Sequence, residues 1–339
     1  MRRSTVFRLV GVVLVIGIGA YSAYWWVAAA KIKKAALAWQ EAERTQKVDV
    51  TWQTLRVAGY PLSFRLEASN FSLKDGASNP PIELSAPSLS ASLKPWNFRN
   101  FWFSAADGLG VALGSAAAPL AKLEAQHGSG AVALGNDGGA NIWLSLYQPK
   151  GTAIATLGAR ALNAWVTLPG GAPAAHLDTG LAFALEVKDL GLPAPPPGLN
   201  PKIDDIGFGV TLMGEFPSGP LRPAAQQWRE SGGTIELDHL DLRWGDMEIN
   251  GTGTLALDSD LQPIGGFSGG VSGFDQLLNA LVAAGRVKAS DARIARLALA
   301  MLAKTGPDGR PEIAASFTIQ NGEMYLGPAK LGPAPRIDW

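Results

Sequence analysis

Cysteine is absent from the 339 residues. Its absence excludes disulfides and thiolate metal sites, and it suits an oxidising compartment where stray thiols are a liability. Charge is scarce. Asp, Glu, Lys and Arg make up 17% of the chain, where about a quarter is usual for a soluble domain. Acidic and basic residues number 29 each, so no field of one sign favours nucleic acid or an acidic substrate. There are three histidines, His127, His176 and His239. None has a helical i, i+4 partner or an H-E-x-x-H setting. No fixed repeat period is present, which disfavours a regular propeller or solenoid.

Glycine and proline are plentiful, 40 and 23 residues. Turns must therefore be frequent, and many short strands fit better than a helical bundle.

One long uncharged run is also present. Leu9 to Ala30 reads LVGVVLVIGIGAYSAYWWVAAA. As a helix it is ~33 Å long, enough to cross the hydrocarbon core of a bilayer. Arg2, Arg3 and Arg8 precede it, and Lys31, Lys33 and Lys34 follow. Tyr21, Tyr24, Trp25 and Trp26 gather at its far end, where amphipathic rings favour the membrane interface. The flanking cations nearly balance. The shortness of the tail, residues 1–8, favours leaving it in the cytoplasm and translocating everything that follows. The expected arrangement is a single-pass, N-in anchor in the inner membrane with a periplasmic C-terminal part. Two readings compete with it. One is a cleavable signal peptide, with Ala28 and Ala30 as its small residues. The other is a buried core helix.

After the anchor, residues 31–47 hold good helix formers without Pro or Gly. From residue 48 to residue 339 the grammar is that of strands. Val48, Val50 and Trp52 alternate with polar neighbours, as do Phe64, Leu66 and Ala68, and Leu89, Ala91 and Leu93. So do Leu162, Ala164 and Val166; Phe183, Leu185 and Val187; Phe208 and Val210; and Leu240, Leu242 and Trp244. The proline-rich run 192–201 (LPAPPPGLNP) either separates two sub-structures or forms a long loop inside one sheet. Phe274, Leu277, Leu278, Leu281 and Val282 predict one helix, and Ile294, Leu297, Met301 and Leu302 a second, capped by Ser290. Their apolar faces are expected to pack on the sheet, with a membrane or partner contact as the alternative. Asn321-Gly322 marks a closing hairpin with a type I′ turn. The fold class is mainly β: a curved antiparallel sheet, a half-open barrel or a sandwich, with a few helices near the C-terminus.

Motifs for chemistry are weak. Gly266 to Gly270 (GFSGG) matches G-x-S-x-G, but no histidine follows Ser268 to complete a Ser–acid–His order. The motif therefore reads as a glycine-rich loop. Asp238, His239, Asp241, Asp246 and Glu248 cluster along a hairpin and read as a solvated acidic face, with a divalent cation as the alternative. No cofactor and no metal is expected. Trp96, Phe98, Phe101, Trp102 and Phe103 place five aromatics in eight residues beside Lys94 and Arg99. They read as core rings with a stacked cation or as a lipid-facing rim. Trp96, Phe101, Trp102 and Phe103 are the lipid-site candidates.

An anchor, a helix, a Trp-containing strand and then Val57-Ala58-Gly59-Tyr60-Pro61 resemble an uncharacterised family of Gram-negative envelope proteins, a domain of unknown function (family twenty-one twenty-five). Gly251 to Leu257, Pro263 to Gly266, a helical pair and the closing Asn321 to Pro328 segment are similar to the C-terminal ends of AsmA-like envelope proteins. The resemblance implies a periplasmic, membrane-anchored β-rich domain with a lipid-related role and no known catalytic residues. A curved sheet with an apolar concave face suits acyl chains, since each buried methylene contributes roughly 0.8 kcal/mol. The leading expectation is a non-enzymatic protein that binds or guides lipid or assists envelope biogenesis. Its partners would be the bilayer, a phospholipid or other lipidic ligand, or an envelope protein, and not nucleic acid. The alternatives are a scaffold that binds a protein partner and an envelope hydrolase.

Overall fold

The computed structural model describes residues 2–115, 118–153, 156–306 and 309–339. Its described part is mainly β, with four helices and antiparallel strand pairing, in two compact units, Met1–Ala133 and Leu134–Trp339.

The first unit begins with α1 (Arg2–Thr45), an unbroken helix of 44 residues, about 66 Å long. The apolar run and the polar helix after it are therefore one rod. Side chains from Val12 to Ile18 stand exposed. From Tyr21 onward one side of the rod meets a sheet built from β1 (Val48–Thr51), β2 (Thr54–Ala58), β3 (Phe64–Asp75), β4 (Ile82–Lys94), β5 (Asn97–Ala105), β6 (Leu109–Ser115), β7 (Ala118–Ala125) and β8 (His127–Leu134). Strand β3 pairs with β1 and β2 on one side and with β4 on the other. β4 continues to β5 and β6, which lead to β8 and β7.

β3 runs alongside the C-terminal half of the helix. Trp25 meets Phe64 at its start. Further along, Gln40 Nε2 donates to the Val50 carbonyl at 2.7 Å, and beyond the strand's end Gly76 N donates to the Lys47 carbonyl at 3.2 Å. Asn70 takes φ 48°, outside the extended region, at a point where neither it nor Pro87 has a register partner. The kink resets the alternation, so Ala68 and Phe71 join one buried cluster with Val50 although they are three residues apart.

The second unit contains β9 (Ala140–Tyr147), β10 (Lys150–Thr152), β11 (Thr156–Gly158), β12 (Ala161–Leu168), β13 (Thr179–Gly191), β14 (Lys202–Met213), α2 (Leu221–Glu230), β15 (Ile235–Trp244), β16 (Met247–Leu257), β17 (Pro263–Ser272), α3 (Phe274–Ala283), α4 (Ala289–Leu302), β18 (Lys304–Thr305), β19 (Pro311–Gln320), β20 (Glu323–Leu326) and β21 (Ala329–Pro333). Its long strands pair in the order β9, β12, β13, β14, β15, β16, β17, β19, β20, β21. Asp189, at φ 52°, resets β13 as Asn70 resets β3. A bulge at Asp238–His239 keeps Leu237 and Leu240 in register with Gly253 and Gly251 of β16.

The proline-rich run does not divide the sheet. It joins β13 to β14, which pair along their length, and Leu192 N donates to the Pro201 carbonyl at 2.8 Å. The division into units falls between Ala133 and Leu134 instead. Helix α2 buries Trp228, whose indole N–H donates to the Met213 carbonyl at 2.8 Å. α3 buries Phe274, Leu278 and Ala280, and its Gln276 accepts from the Asp246 amide at 2.8 Å. α4 departs from the expectation of packing on the sheet. Arg296 holds it to Asp275 of α3 at 2.6 Å, yet Ile294, Leu297, Met301 and Leu302 are all exposed. Ser290 lies inside α4 and makes no cap bond, because the helix begins at Ala289. The closing turn has Asn321 at φ 52° and Gly322 at φ 70°, as a type I′ turn requires.

Candidate functional site

The far end of the apolar run is fastened to the first unit. Trp25 is 1% exposed and packs with Ala29 and Phe64. Its ring stacks on Phe64 at 5.3 Å, and its N–H donates to the Ser63 carbonyl at 3.1 Å. The Tyr21 hydroxyl donates to the Pro61 carbonyl. The Tyr24 hydroxyl donates to the Pro95 carbonyl at 3.1 Å. Ser22 Oγ lies 2.7 Å from the Tyr60 hydroxyl. Of the four interface candidates, Tyr24 and Trp26 remain open, Tyr21 is half-buried and Trp25 is interior.

The candidates Trp96, Phe101, Trp102 and Phe103 do not share one surface. Trp96 sits in the β4–β5 turn and is 63% exposed. Phe103 pairs with Ala91, and Phe101 with Val132, on one face of the sheet. Trp102, one residue out of phase, projects from the other face beside Ser92 and Ala131. Period-two geometry separates neighbours that the linear sequence presents as a cluster. Phe98 lies nearer the helix, 6.4 Å from the ring of Phe64.

A longer apolar feature crosses the second unit. Leu146, Leu162, Val187, Ile206, Leu242, Ile249, Val271 and Ile313 stand opposite one another on eight successive strands. At the usual inter-strand spacing this row is about 34 Å long. A second row runs beside it: Leu144, Ala164, Leu185, Phe208, Leu240, Gly251, Gly269 and Ala315. In the first row Leu146 is buried, and the other seven side chains are only half-buried. A filled core would bury them. Gly251 and Gly269 leave a hollow of about 350 Å³, walled by Leu237, Leu240, Phe267 and Phe317.

The opposite face of this sheet is polar. Lys188 bridges Glu186 at 2.6 Å and Asp205, which also meets Arg243 at 3.8 Å. Its hydrogen bonds to Asp205 and Glu186 raise the Lys188 pKa, and the Lys188 bond lowers that of Glu186. Lys202, at 2.6 Å, and Arg160 hold the Asp189 carboxyl down at about 2. A polar groove of about 600 Å³ on this face includes Asp205, His239, Asp241 and Glu248. Within the predicted acidic cluster, Thr211 donates to Asp238 at 2.7 Å and Arg310 pairs with Glu248. Among the described residues no three His, Asp or Glu side chains converge as metal ligands.

Ser268 lies mid-strand in β17, paired with Thr252 and Ser316. A nucleophile elbow requires a strand-to-helix turn, so the motif is neither an elbow nor the loop that its glycines suggest. His127 bonds the Ala106 carbonyl, while His239 lies over Gly209 on the polar face.

Of the apolar rows, Leu162, Ala164, Leu185, Val187, Phe208, Leu240 and Leu242 were visible in the sequence, as separate alternations. Their assembly depends on cross-strand register, which one-dimensional periodicity does not carry.

No curated protein and no solved structure matches the chain. A family model does, over residues 25–335. The match covers most of the chain, from Trp25 of the helix through the apolar rows, and the protein belongs to the family described as "Uncharacterized protein conserved in bacteria (DUF2125)".

Proposed function

We propose that this protein is a membrane-anchored, non-enzymatic envelope protein that binds or guides lipid along the apolar rows of its second unit. In this reading α1 spans the inner membrane with its N-terminus in the cytoplasm, and both units stand in the periplasm. The carrying observation is the eight-strand row from Leu146 to Ile313, most of it only half-buried. Apolar surface left partly in water gains free energy when an acyl chain covers it, at roughly 25 cal/mol per Å². The row is longer than half of a ~30 Å hydrocarbon core, so one acyl chain fits along it with room to slide. The polar, ion-paired opposite face suits water.

A photo-crosslinking side chain tests the reading in the full chain in cells. Ile249 faces the row, and Thr252, on the same strand, faces solvent. Mass spectrometry should find lipid adducts on the Ile249 variant and few on the Thr252 variant. Adducts at neither position, or equally at both, would overturn the proposal.

A second reading, a scaffold for an envelope protein partner, rests on the uncovered apolar stripe of α4, where Met301 is 80% exposed.

A further inference from the structure

We infer that the lower rim of the first unit, the turns at residues 59–63 and 94–98, is immersed in the outer leaflet of the bilayer that α1 spans rather than standing above it. The inference rests on the reading of α1 as a membrane span.

The argument begins with levels along the helix. Arg8 and Lys31 bound the uncharged run, and 23 steps of 1.5 Å separate them by roughly 34 Å. That distance is close to a ~30 Å hydrocarbon core plus a short margin at each end. The two turns, however, fasten well below Lys31. Tyr21, which holds Pro61, lies ten residues short of it, roughly 15 Å down the axis. Tyr24, which holds Pro95, lies seven residues short, roughly 10 Å down. With Lys31 at the headgroups, both turns lie at acyl-chain depth.

Non-helical backbone survives at that depth only if its polar groups are satisfied by protein. Five of the rim's backbone groups are engaged within the protein. Pro61 and Pro95 have no N–H to satisfy. Their carbonyls accept from Tyr21 and Tyr24. The Ser63 carbonyl accepts from Trp25, and the Gly59 carbonyl from the Ser63 amide at 2.9 Å. Outward, the rim shows Tyr60, Leu62, Trp96 and Phe98, of which Leu62 is 68% exposed. Neither 59–64 nor 93–100 contains an acidic residue, and Lys94 and Arg99 flank the aromatic turn, as suits phospholipid headgroups. An apolar slot of about 500 Å³ opens at the same level between the helix and Phe98, lined by Tyr24, Val27 and Ile32, with Lys31 among its lining residues. Immersion fills it with an acyl chain and leaves Lys31 beside the phosphate.

The absence of native cysteine makes single-site labelling direct. The full chain is placed in phosphatidylethanolamine–phosphatidylglycerol vesicles with a nitroxide at Ile16→Cys, Leu62→Cys, Trp96→Cys or Ala77→Cys. Collisions with oxygen, which partitions into lipid, are compared with collisions with a water-soluble nickel chelate. Leu62 and Trp96 should match Ile16 in favouring oxygen, several-fold above Ala77, which lies past the far end of β3. If Ile16 favours oxygen while Leu62 and Trp96 behave like Ala77, the rim stands in water and the inference is overturned. If Ile16 itself favours nickel, α1 does not span, and the inference falls with that reading.

Discussion

Trp25 and Phe64 stack with ring centroids 5.3 Å apart and planes 26° from parallel. One ring belongs to the apolar helix and the other opens the first long strand, so this contact helps join the apolar helix to the sheet. Tyr60 meets the same indole edge-on at 5.4 Å, and Ala28, Ile32, Val57 and Leu93 close around it.

Trp25→Ala removes this contact together with the hydrogen bond to the Ser63 carbonyl. A buried Trp truncated to Ala costs about 3–5 kcal/mol, and the loss should appear as earlier urea unfolding of the first unit. Trp26→Ala, one residue on, touches an exposed ring and should change stability by no more than about 0.5 kcal/mol. Equal effects from the two changes would deny the helix–sheet junction.

The two tryptophans also show what was legible in the sequence. Composition and periodicity marked the apolar N-terminal helix, the strand-rich body, the helical pair and the Asn321-Gly322 hairpin, because each is a local pattern. Nothing local distinguishes Trp25 from Trp26; only the tertiary partner makes one interior and leaves the other open. The same limit broke up the aromatic cluster at 96–103, where adjacent rings face opposite ways across β5. It also concealed the eight-residue apolar row, since the kink at Asp189 and the bulge at Asp238–His239 reset the phase that a periodicity count assumes.

Asp189 gives a pH test. Lys202 and Arg160 depress its pKa from 3.8 to about 2 in the folded chain. A depressed carboxyl contributes stability that is fully present above its unfolded value and is lost as pH falls through the folded one. Asp189→Asn lacks this contribution at every pH while still accepting the φ of 52° that the position requires. The wild-type chain should therefore be the more stable by a constant margin above about pH 5, and the two stability curves should converge as pH falls toward 2. Parallel curves down to that pH would show that the ion pairs do not couple to folding.

The α4 stripe should tolerate polarity. Met301→Gln alters a side chain that is 80% exposed, so urea unfolding should shift by no more than about 0.5 kcal/mol. Leu278→Ala, in the buried face of α3, should cost about 2–5 kcal/mol. A large loss from Met301→Gln would show that the stripe is covered in the folded protein.

The floor of the apolar rows offers a change that separates stability from binding. Gly251 and Gly269 stand opposite each other in β16 and β17 and leave the hollow between Leu240 and Phe317 open. At Gly269 an added Cβ would lie 1.9 Å from the Asn250 carbonyl oxygen, so that position cannot be enlarged without moving backbone. At Gly251 the nearest atom to an added Cβ is the Ser268 carbonyl oxygen at 3.3 Å, which requires a shift of only a few tenths of an ångström. A glycine inside a regular element costs roughly 0.5–1 kcal/mol relative to alanine, so replacing it should offset that strain. Gly251→Leu should therefore leave the urea midpoint unchanged or raised while its side chain fills the hollow. Lipid recovered with the purified full chain should fall, because the row is interrupted without any charge being introduced. Unchanged lipid on a stable Gly251→Leu protein would mean that acyl chains do not lie along these rows, and the scaffold reading built on α4 would take precedence.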